Sequence, residues 1–199
     1  LHAAGLFETD GRVVAVREQA AKQLGGWSHA RFATEGTRIE RLLESGDVQT
    51  AYTAAQQLVQ NCLNAGAQAY AGADYDIAYI HWLFGRVLKR GGAVEAALSP
   101  LTEAQQRFQQ LADAGNTSAA RMASVAIAQY ADCLRDLGRL EEAAAMHEEG
   151  INRANKVNDF RQVAAAKANL GTVRMLQKKY AEALQIYAEA RDSFESLGE

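Results

Sequence analysis

Apolar residues recur at helical spacing along most of the chain, with short polar breaks between the runs. Ala51, Ala55 and Leu58 share one face of such a run, and Asp47 stands before it as an N-cap. The breaks predict a leading helix over residues 12–24 and eight further helices over about 28–44, 47–64, 69–90, 93–112, 118–137, 140–157, 160–177 and 180–197.

A small residue returns at a regular interval in every second predicted helix. Ala51, Ala97, Ala143 and Ala183 are separated by 46, 46 and 40 residues. Self-similarity at such a period is typical of helical repeat arrays, in which each unit covers its apolar face by stacking on the next. We therefore expect an all-α, right-handed α-solenoid of stacked antiparallel hairpins, with about nine helices.

The predicted helices divide the chain into a short leading part and one continuous domain. Residues 1–27 would form a leading helix that caps the array, or the remnant of a preceding repeat. Residues 28–199 would form four antiparallel hairpins, at about 28–66, 69–113, 118–157 and 160–197. Since the sequence starts with Leu1 and not with methionine, we expect it to be a piece of a longer or processed protein.

Two local features of these hairpins lead to specific expectations. Pro100 lies inside a predicted helix, and the repeat phase favours a kinked helix through it; a helix that starts with Ser99 as its N-cap is the alternative. Gly85, Ala131 and Gly171 are small where two helices cross, so we expect them to make room for side chains of the partner helix.

Composition narrows the range of functions. The chain is 48% hydrophobic with a net charge of −3 and no basic block, which argues for a packed core and against nucleic acid as a partner. No apolar run approaches the roughly 20 residues that span a bilayer, so no membrane association is expected. Cys62 and Cys133 are too few for a disulfide framework; we interpret them as buried packing residues of a cytoplasmic protein.

Residue patterns for catalysis or cofactor binding do not occur in the sequence. The four histidines share no ligand spacing, and His147-Glu148-Glu149 lacks the second histidine of a zinc helix. There is no glycine-rich phosphate loop and no nucleophile elbow. We therefore assign no catalytic residues, no metal site and no cofactor, and we expect the protein not to be an enzyme.

The hairpins carry a recognisable set of residues. The last has Leu170-Gly171, Tyr180, Ala183, Tyr187 and Ala190; the second has Phe84-Gly85, Leu88, Ala97, Leu101 and Ala104; the third has Tyr130-Ala131, Leu134, Ala143 and Gly150, with His147 at an aromatic position. These residues resemble the tetratricopeptide repeat over about 32–197, although the first hairpin has Ile39 where glycine is usual. The periods of 40–46 resemble the long-helix variety of that family.

One helix of the second hairpin carries two stripes of side chains. An aromatic and basic stripe consists of Tyr75, Tyr79, Trp82, Arg86, Lys89 and Arg90, and an aliphatic stripe of Ile77, Ile80, Phe84 and Leu88 lies on nearly the opposite side. We expect the aliphatic stripe to pack within its own hairpin. The resemblance implies that the aromatic and basic stripe faces a concave groove, together with Glu40, Glu44, Asp132, Arg135, Asp136, Ala165, Ala168 and Thr172. Alternatively, Tyr79 and Trp82 pack against the neighbouring first helix, and only Arg86 reaches solvent.

The resemblance implies a protein–protein interaction or scaffold module that binds a peptide or partner protein in the groove, as part of a larger regulatory or signalling protein. The alternative is a sensor domain that holds a small molecule or short signalling peptide inside the superhelix. We also expect that an uncapped terminal repeat, with Leu184, Tyr187 and Phe194 on its open face, allows a homodimer to form.

Overall fold

The computed structural model describes residues 26–198, which form an all-α array of eight helices with no strand in this range. The helices are α1 (His29–Glu44), α2 (Val48–Ala65), α3 (Ala73–Arg90), α4 (Val94–Asp113), α5 (Thr117–Asp136), α6 (Leu140–Lys156), α7 (Phe160–Leu176) and α8 (Tyr180–Ser196). The leading helix predicted over 12–24 lies outside the described residues.

The helices stack as four hairpins in chain order, which confirms the predicted fold. Each helix packs against the next one along the chain, and the first helices α1, α3, α5 and α7 also contact one another in succession. Within the described range, no second helix (α2, α4, α6 or α8) contacts the second helix of a neighbouring hairpin. The first helices therefore lie on the inner side of the stack, and the second helices spread apart on the outer side.

Short turns and capping residues fix where the helices begin. The side chains of Asp47, Asn116 and Asp159 each accept a hydrogen bond from the backbone N–H three residues later. The second helices start at residues 48, 94, 140 and 180, which repeats the spacing of 46, 46 and 40 found in the sequence. The periodicity therefore marks real structural units.

The link between α2 and α3 differs from the prediction, because α3 begins at Ala73 and not at 69. Gly72, the residue before the helix, has a φ of 90°, a left-handed conformation that favours glycine. The loop residue Tyr70 is held by its hydroxyl, which donates to Asp76 Oδ2 at 2.7 Å. This contact ties the loop to α3, and the left-handed Gly72 directly precedes the first residue of that helix.

Pro100 lies inside α4, which runs without interruption from Val94 to Asp113. The helix that would start at Ser99 is therefore not formed. Pro100 is buried in the array together with Ala97 and Leu101.

The second and the fourth hairpin each bring a glycine and a large side chain together where their two helices cross. A methyl group added to Gly85 would lie 2.6 Å from Leu101 Cγ, and one added to Gly171 would lie 2.9 Å from Tyr187 Cε1. Both distances are shorter than real carbon–carbon contacts. The predicted role of Gly85 and Gly171 is therefore confirmed: these hairpins close only because one helix lacks a side chain at the crossing.

The two residues of each of these pairs are 16 positions apart in the sequence, and a small and a large residue occur at this spacing in all four hairpins. Besides Gly85–Leu101 and Gly171–Tyr187, it relates Ala131 to His147 and Ile39 to Ala55, and all four residues of these last two pairs have no solvent exposure. In the first hairpin the order is reversed, with the large residue on the first helix and the small one on the second. Ile39, at the place of the usual glycine, and Ala55 belong to the same buried cluster.

The aliphatic stripe of α3 packs differently from the prediction. Ile77, Ile80 and Phe84 belong to a core cluster formed with α1 and α2 of the preceding hairpin. The Phe84 ring lies 5.7 Å from the ring of Tyr52 in α2. Only Leu88 packs towards the helix α4 of its own hairpin. The prediction was wrong for most of the stripe, because α3 has the first hairpin on one side and α4 on another and buries a stripe against each.

The two cysteines are free, buried thiols, as predicted for packing residues. Burial raises the pKa of Cys62 to about 12 and that of Cys133 to about 11. Both therefore remain protonated and unreactive at neutral pH. None of the helices described is both long and apolar enough to cross a membrane.

His147 is a buried polar residue at the crossing of the third hairpin. It has no solvent exposure, and within the described range neither ring nitrogen has a hydrogen-bond partner. The nearest carboxylate oxygen, Asp132 Oδ1, lies 3.7 Å from its Nε2, which is beyond hydrogen-bond distance. Burial, together with the nearby cations Arg135 and Lys89, lowers the pKa of His147 to about 4.

The crossing contact can be tested by two matched glycine substitutions. Gly85→Ala should lower the free energy of unfolding by about 1–3 kcal/mol, because the added methyl group overlaps the buried Leu101. Gly36→Ala, also within a helix, has no atom within 4 Å of the added group and should be neutral or stabilise by up to about 1 kcal/mol. Urea denaturation of both variants measures this; equal effects would contradict the steric explanation.

The pH dependence of stability should change when His147 is replaced. In the unfolded chain His147 takes up a proton below about pH 6.5, whereas the folded chain resists protonation down to about pH 4. Its contribution is fully present above about pH 6.5 and is lost as the pH falls towards 4, by roughly 2–3 kcal/mol. His147→Leu should remove this loss when denaturation curves are compared across that range.

Other titratable groups also contribute to the pH dependence of the free energy of unfolding of the wild-type protein. The contribution of His147 is therefore measured as the difference between the wild type and His147→Leu. Burial raises the pKa of Asp132, which favours the folded state on acidification and acts in both proteins. An identical pH dependence of wild type and His147→Leu would show that His147 is protonated equally in the folded and unfolded states.

Candidate functional site

The inner side of the array contains an open depression of about 700 Å³ between the first helices of three successive hairpins. It is lined by Glu40, Leu43 and Glu44 of α1, by Arg86, Lys89 and Arg90 of α3, and by Gln129 and Asp136 of α5. We call this depression the groove. Three hairpins contribute to it because their first helices lie side by side on the inner face.

The basic end of α3 is joined to α5 by a network of ion pairs. Lys89 Nζ lies 3.7 Å from Asp132 and 3.5 Å from Asp136. Arg135 contacts the same two carboxylates at 3.1 and 2.9 Å. Asp132 is mostly buried, which raises the pKa of its carboxyl group, while Lys89 and Arg135 oppose that effect. Most of the charge on this wall of the groove is therefore neutralised within the protein.

On the opposite wall, α3 is joined to α1. Arg86 lies 3.8 Å from Glu40, and its guanidinium lies 4.7 Å from the centre of the Trp82 ring, in cation–π geometry. Trp82 itself packs against buried residues of several hairpins, and its buried Nε1 has no partner within the described range. The Trp82 ring thus lies beneath the Arg86 guanidinium, and Trp82 does not line the groove.

The two tyrosines of the stripe are half-buried and lie away from the groove. The Tyr79 hydroxyl donates to Glu40 Oε1 at 2.8 Å, and burial together with this bond raises the pKa of Tyr79. The Tyr75 ring meets the ring of Phe108 edge-on at 5.3 Å, and burial raises the pKa of Tyr75 as well. Both side chains therefore remain neutral phenols that position their neighbours.

Two charged groups of the groove have no ion pair within residues 26–198. Arg90 and Glu44 are exposed, and no carboxylate lies within 4.0 Å of the first and no cation within that distance of the second. They stand at the ends of α3 and α1. Of the predicted site residues, Arg90 is thus the one whose charge is most available to a partner.

The remaining predicted groove residues lie on α7. Ala165, Ala168 and Thr172 are half-buried, and none of them lines the groove. The hydroxyl of Thr172 lies 3.0 Å from that of Tyr187 and so takes part in closing the last hairpin. The groove described here therefore ends at α5.

A second polar cluster was missed in the sequence. Asp76 is almost fully buried, and its Oδ2 accepts hydrogen bonds from Tyr70 and lies 2.7 Å from His29 Nδ1. The sequence pattern that could have indicated this cluster is the spacing of His29, Phe32, Gly36 and Glu40, which places these residues on one face of α1. Sequence alone did not indicate that this face meets α3. No group of three or more metal-ligating side chains occurs in the part of the chain that the structure describes.

The terminal hairpin exposes apolar side chains, though not all of those predicted. Leu184 is 70% exposed, and Met175, Leu176 and Tyr180 lie exposed on the same hairpin. Tyr187, by contrast, packs against Gly171 inside the hairpin, so its inclusion in the open face was wrong. Self-association through this end stays a prediction.

Comparison with known proteins identifies the repeats. Residues 121–196, which cover the third and fourth hairpins, match the tetratricopeptide repeat family. No curated protein sequence matches the chain.

A solved structure with a TM-score above 0.5 shows the same architecture. The crystal structure of BtubC (BKLC) from P. vanneervenii is similar over 90% of this chain and 71% of that one, with 15% identity and a TM-score of 0.62. A second similarity is to nearly identical TPR-like repeats of kinesin light chain type from Podosopora anserina, over 84% of this chain and 96% of that one, with 13% identity and a TM-score of 0.40. At these identities the first similarity shows the fold alone. Residues 121–196 therefore carry tetratricopeptide repeats, which generally serve as protein-interaction modules, and the hairpins before them share the same stacked architecture.

Proposed function

We propose that the groove binds a peptide or an exposed segment of a partner protein, and that the array acts as a scaffold module within a larger regulatory or signalling protein. One observation carries this proposal: three first helices line a single open depression of about 700 Å³ with charged side chains of both signs. A depression of this kind suits a chain segment that lies across several repeats.

The charge pattern favours a partner segment with charges of both signs. Lys89, Arg135 and their carboxylate partners neutralise one another, so the groove has no strong overall sign. Arg90 and Glu44 remain for a partner, at two different helix ends. An acidic group of the partner near Arg90 and a basic group near Glu44 would complement this arrangement.

The sensor alternative requires an enclosed cavity lined jointly by Tyr79, Trp82 and Arg86. In the described part of the chain, Arg86 lines the groove, Tyr79 lines a smaller pocket towards α1, and Trp82 packs beneath them. A small molecule is usually bound in an enclosed cavity, so the open groove favours a macromolecular partner.

Selection from a random peptide library displayed on phage would test the proposal on the purified chain. We expect the selected peptides to bind the wild-type protein, and to bind Arg90→Glu at least about tenfold more weakly. Because Arg90 is exposed and has no ion pair in the described range, its replacement should leave the free energy of unfolding within about 0.5 kcal/mol of wild type.

Lys179→Glu is the matched control, since Lys179 is exposed on the turn before α8 and does not line the groove. It imposes the same change of charge elsewhere and should leave peptide binding intact. Failure to select any peptide, or equal weakening by the two substitutions, would refute binding in the groove.

A further inference from the structure

A smaller pocket of about 220 Å³ opens between α1 and α3, next to the groove. Its walls include Phe32, Gly36 and Glu40 of α1 and Tyr75, Asp76 and Tyr79 of α3. Glu40 lines both the pocket and the groove, so the two are neighbours on the inner face. We call it the α1–α3 pocket.

Aromatic rings held in fixed positions make up much of its wall. The rings of Phe32 and Tyr79 meet edge-on with centroids 6.1 Å apart, and Tyr79 is anchored by its hydrogen bond to Glu40 at 2.8 Å. Tyr75 is held by its edge-on contact with Phe108. A site built from such rings is already organised before a ligand arrives, which reduces the entropic cost of binding.

Two carboxylates lie among these rings. Asp76 is 2% exposed and holds His29 and Tyr70 through one oxygen, and Glu40 accepts from Tyr79 through one oxygen. Arg86 also lies 3.8 Å from Glu40, but its guanidinium is placed over the Trp82 ring and does not line the pocket. Carboxylates repel an anion, and an uncharged apolar group would bury them without compensation.

Gly36 provides the space. It lies in the middle of α1, and a methyl group added to it would have no atom within 4 Å. A side chain larger than alanine at this position would therefore extend into the pocket and not into the core. The glycine is thus not needed to close a hairpin, unlike Gly85 and Gly171.

We propose that the α1–α3 pocket binds the cationic end of a lysine or arginine side chain of the segment bound in the groove. Aromatic rings with nearby carboxylates attract an ammonium or guanidinium group through cation–π and charge interactions. The pocket has room for one long side chain, and a segment in the groove passes beside it at Glu40. This assignment rests on the proposed groove function and adds to it a required basic residue in the partner.

The pocket can be tested without a partner, by adding n-butylammonium to the chain labelled with 3-fluorotyrosine. We expect saturable ¹⁹F shifts of Tyr75 and Tyr79 at millimolar concentration, with the signals assigned by single substitutions to phenylalanine. The uncharged probe n-butanol, which has a similar shape, should shift them at least about tenfold more weakly. Equal responses to the two probes, or no response to the cation, would overturn the proposal.

Two comparisons between variants distinguish loss of binding in the pocket from loss of the fold. Gly36→Leu should abolish the response to n-butylammonium, whereas Gly36→Ala should keep it. The methyl group of Gly36→Ala meets no neighbour, so this variant should remain folded, and urea denaturation checks that Gly36→Leu is folded as well. Glu40→Gln keeps an oxygen that accepts from Tyr79 but removes the charge, and should weaken n-butylammonium binding about fivefold to tenfold relative to wild type. An unchanged affinity in both Gly36→Leu and Glu40→Gln would place the cation elsewhere.

The library selection then distinguishes this inference from the groove function. Peptides selected on the wild-type chain should share one lysine or arginine at a fixed position, and those selected on Gly36→Leu should lack it. Peptides that bind in the groove without a fixed basic residue would overturn the pocket assignment and leave the groove function standing.

Discussion

The structure depends on the close approach of the two helices within each hairpin. At residues 16 apart, one helix offers little or no side chain and the other fills the space, as Leu101 does over Gly85 and Tyr187 over Gly171. Without this contact the two helices would stand further apart, and the faces that stack on the next hairpin would no longer match. In the first hairpin the order is reversed, with the large Ile39 on the first helix and the small Ala55 on the second, both fully buried, so we infer that the constraint concerns the summed volume at the crossing.

The functional surface follows from this packing. Because consecutive first helices touch and consecutive second helices do not, the array bends around its first helices and places α1, α3 and α5 beside one depression. The charges at that depression are largely satisfied by one another, which lets a charged surface form without a strong net field. The groups that stay available to a partner are Arg90 and Glu44 at the helix ends, and the aromatic and acidic pocket between α1 and α3.

Sequence patterns predicted the number, order and approximate limits of the described helices, because helix periodicity and capping are local properties. They also predicted which glycines lie at crossings. The predictions failed for residues that could pack against either of two neighbouring elements. Ile77 and Ile80 pack against the preceding hairpin, and Tyr187 packs against Gly171 within its own hairpin. The α1–α3 pocket was not predicted either, since His29 and Asp76 are 47 residues apart and only the stacking of hairpins brings them within 2.7 Å. Contacts between repeats depend on their relative rotation, which composition and spacing do not specify.

The most direct test of the central claim is a double-mutant cycle that converts the second hairpin to the arrangement of the first. Gly85→Ile and Leu101→Ala should each lower the free energy of unfolding by about 2–4 kcal/mol, the first by overpacking and the second by leaving a cavity. If summed volume at the crossing governs closure, the double variant should be more stable than the sum of the two effects predicts, by at least about 1 kcal/mol. Strictly additive losses would contradict the account.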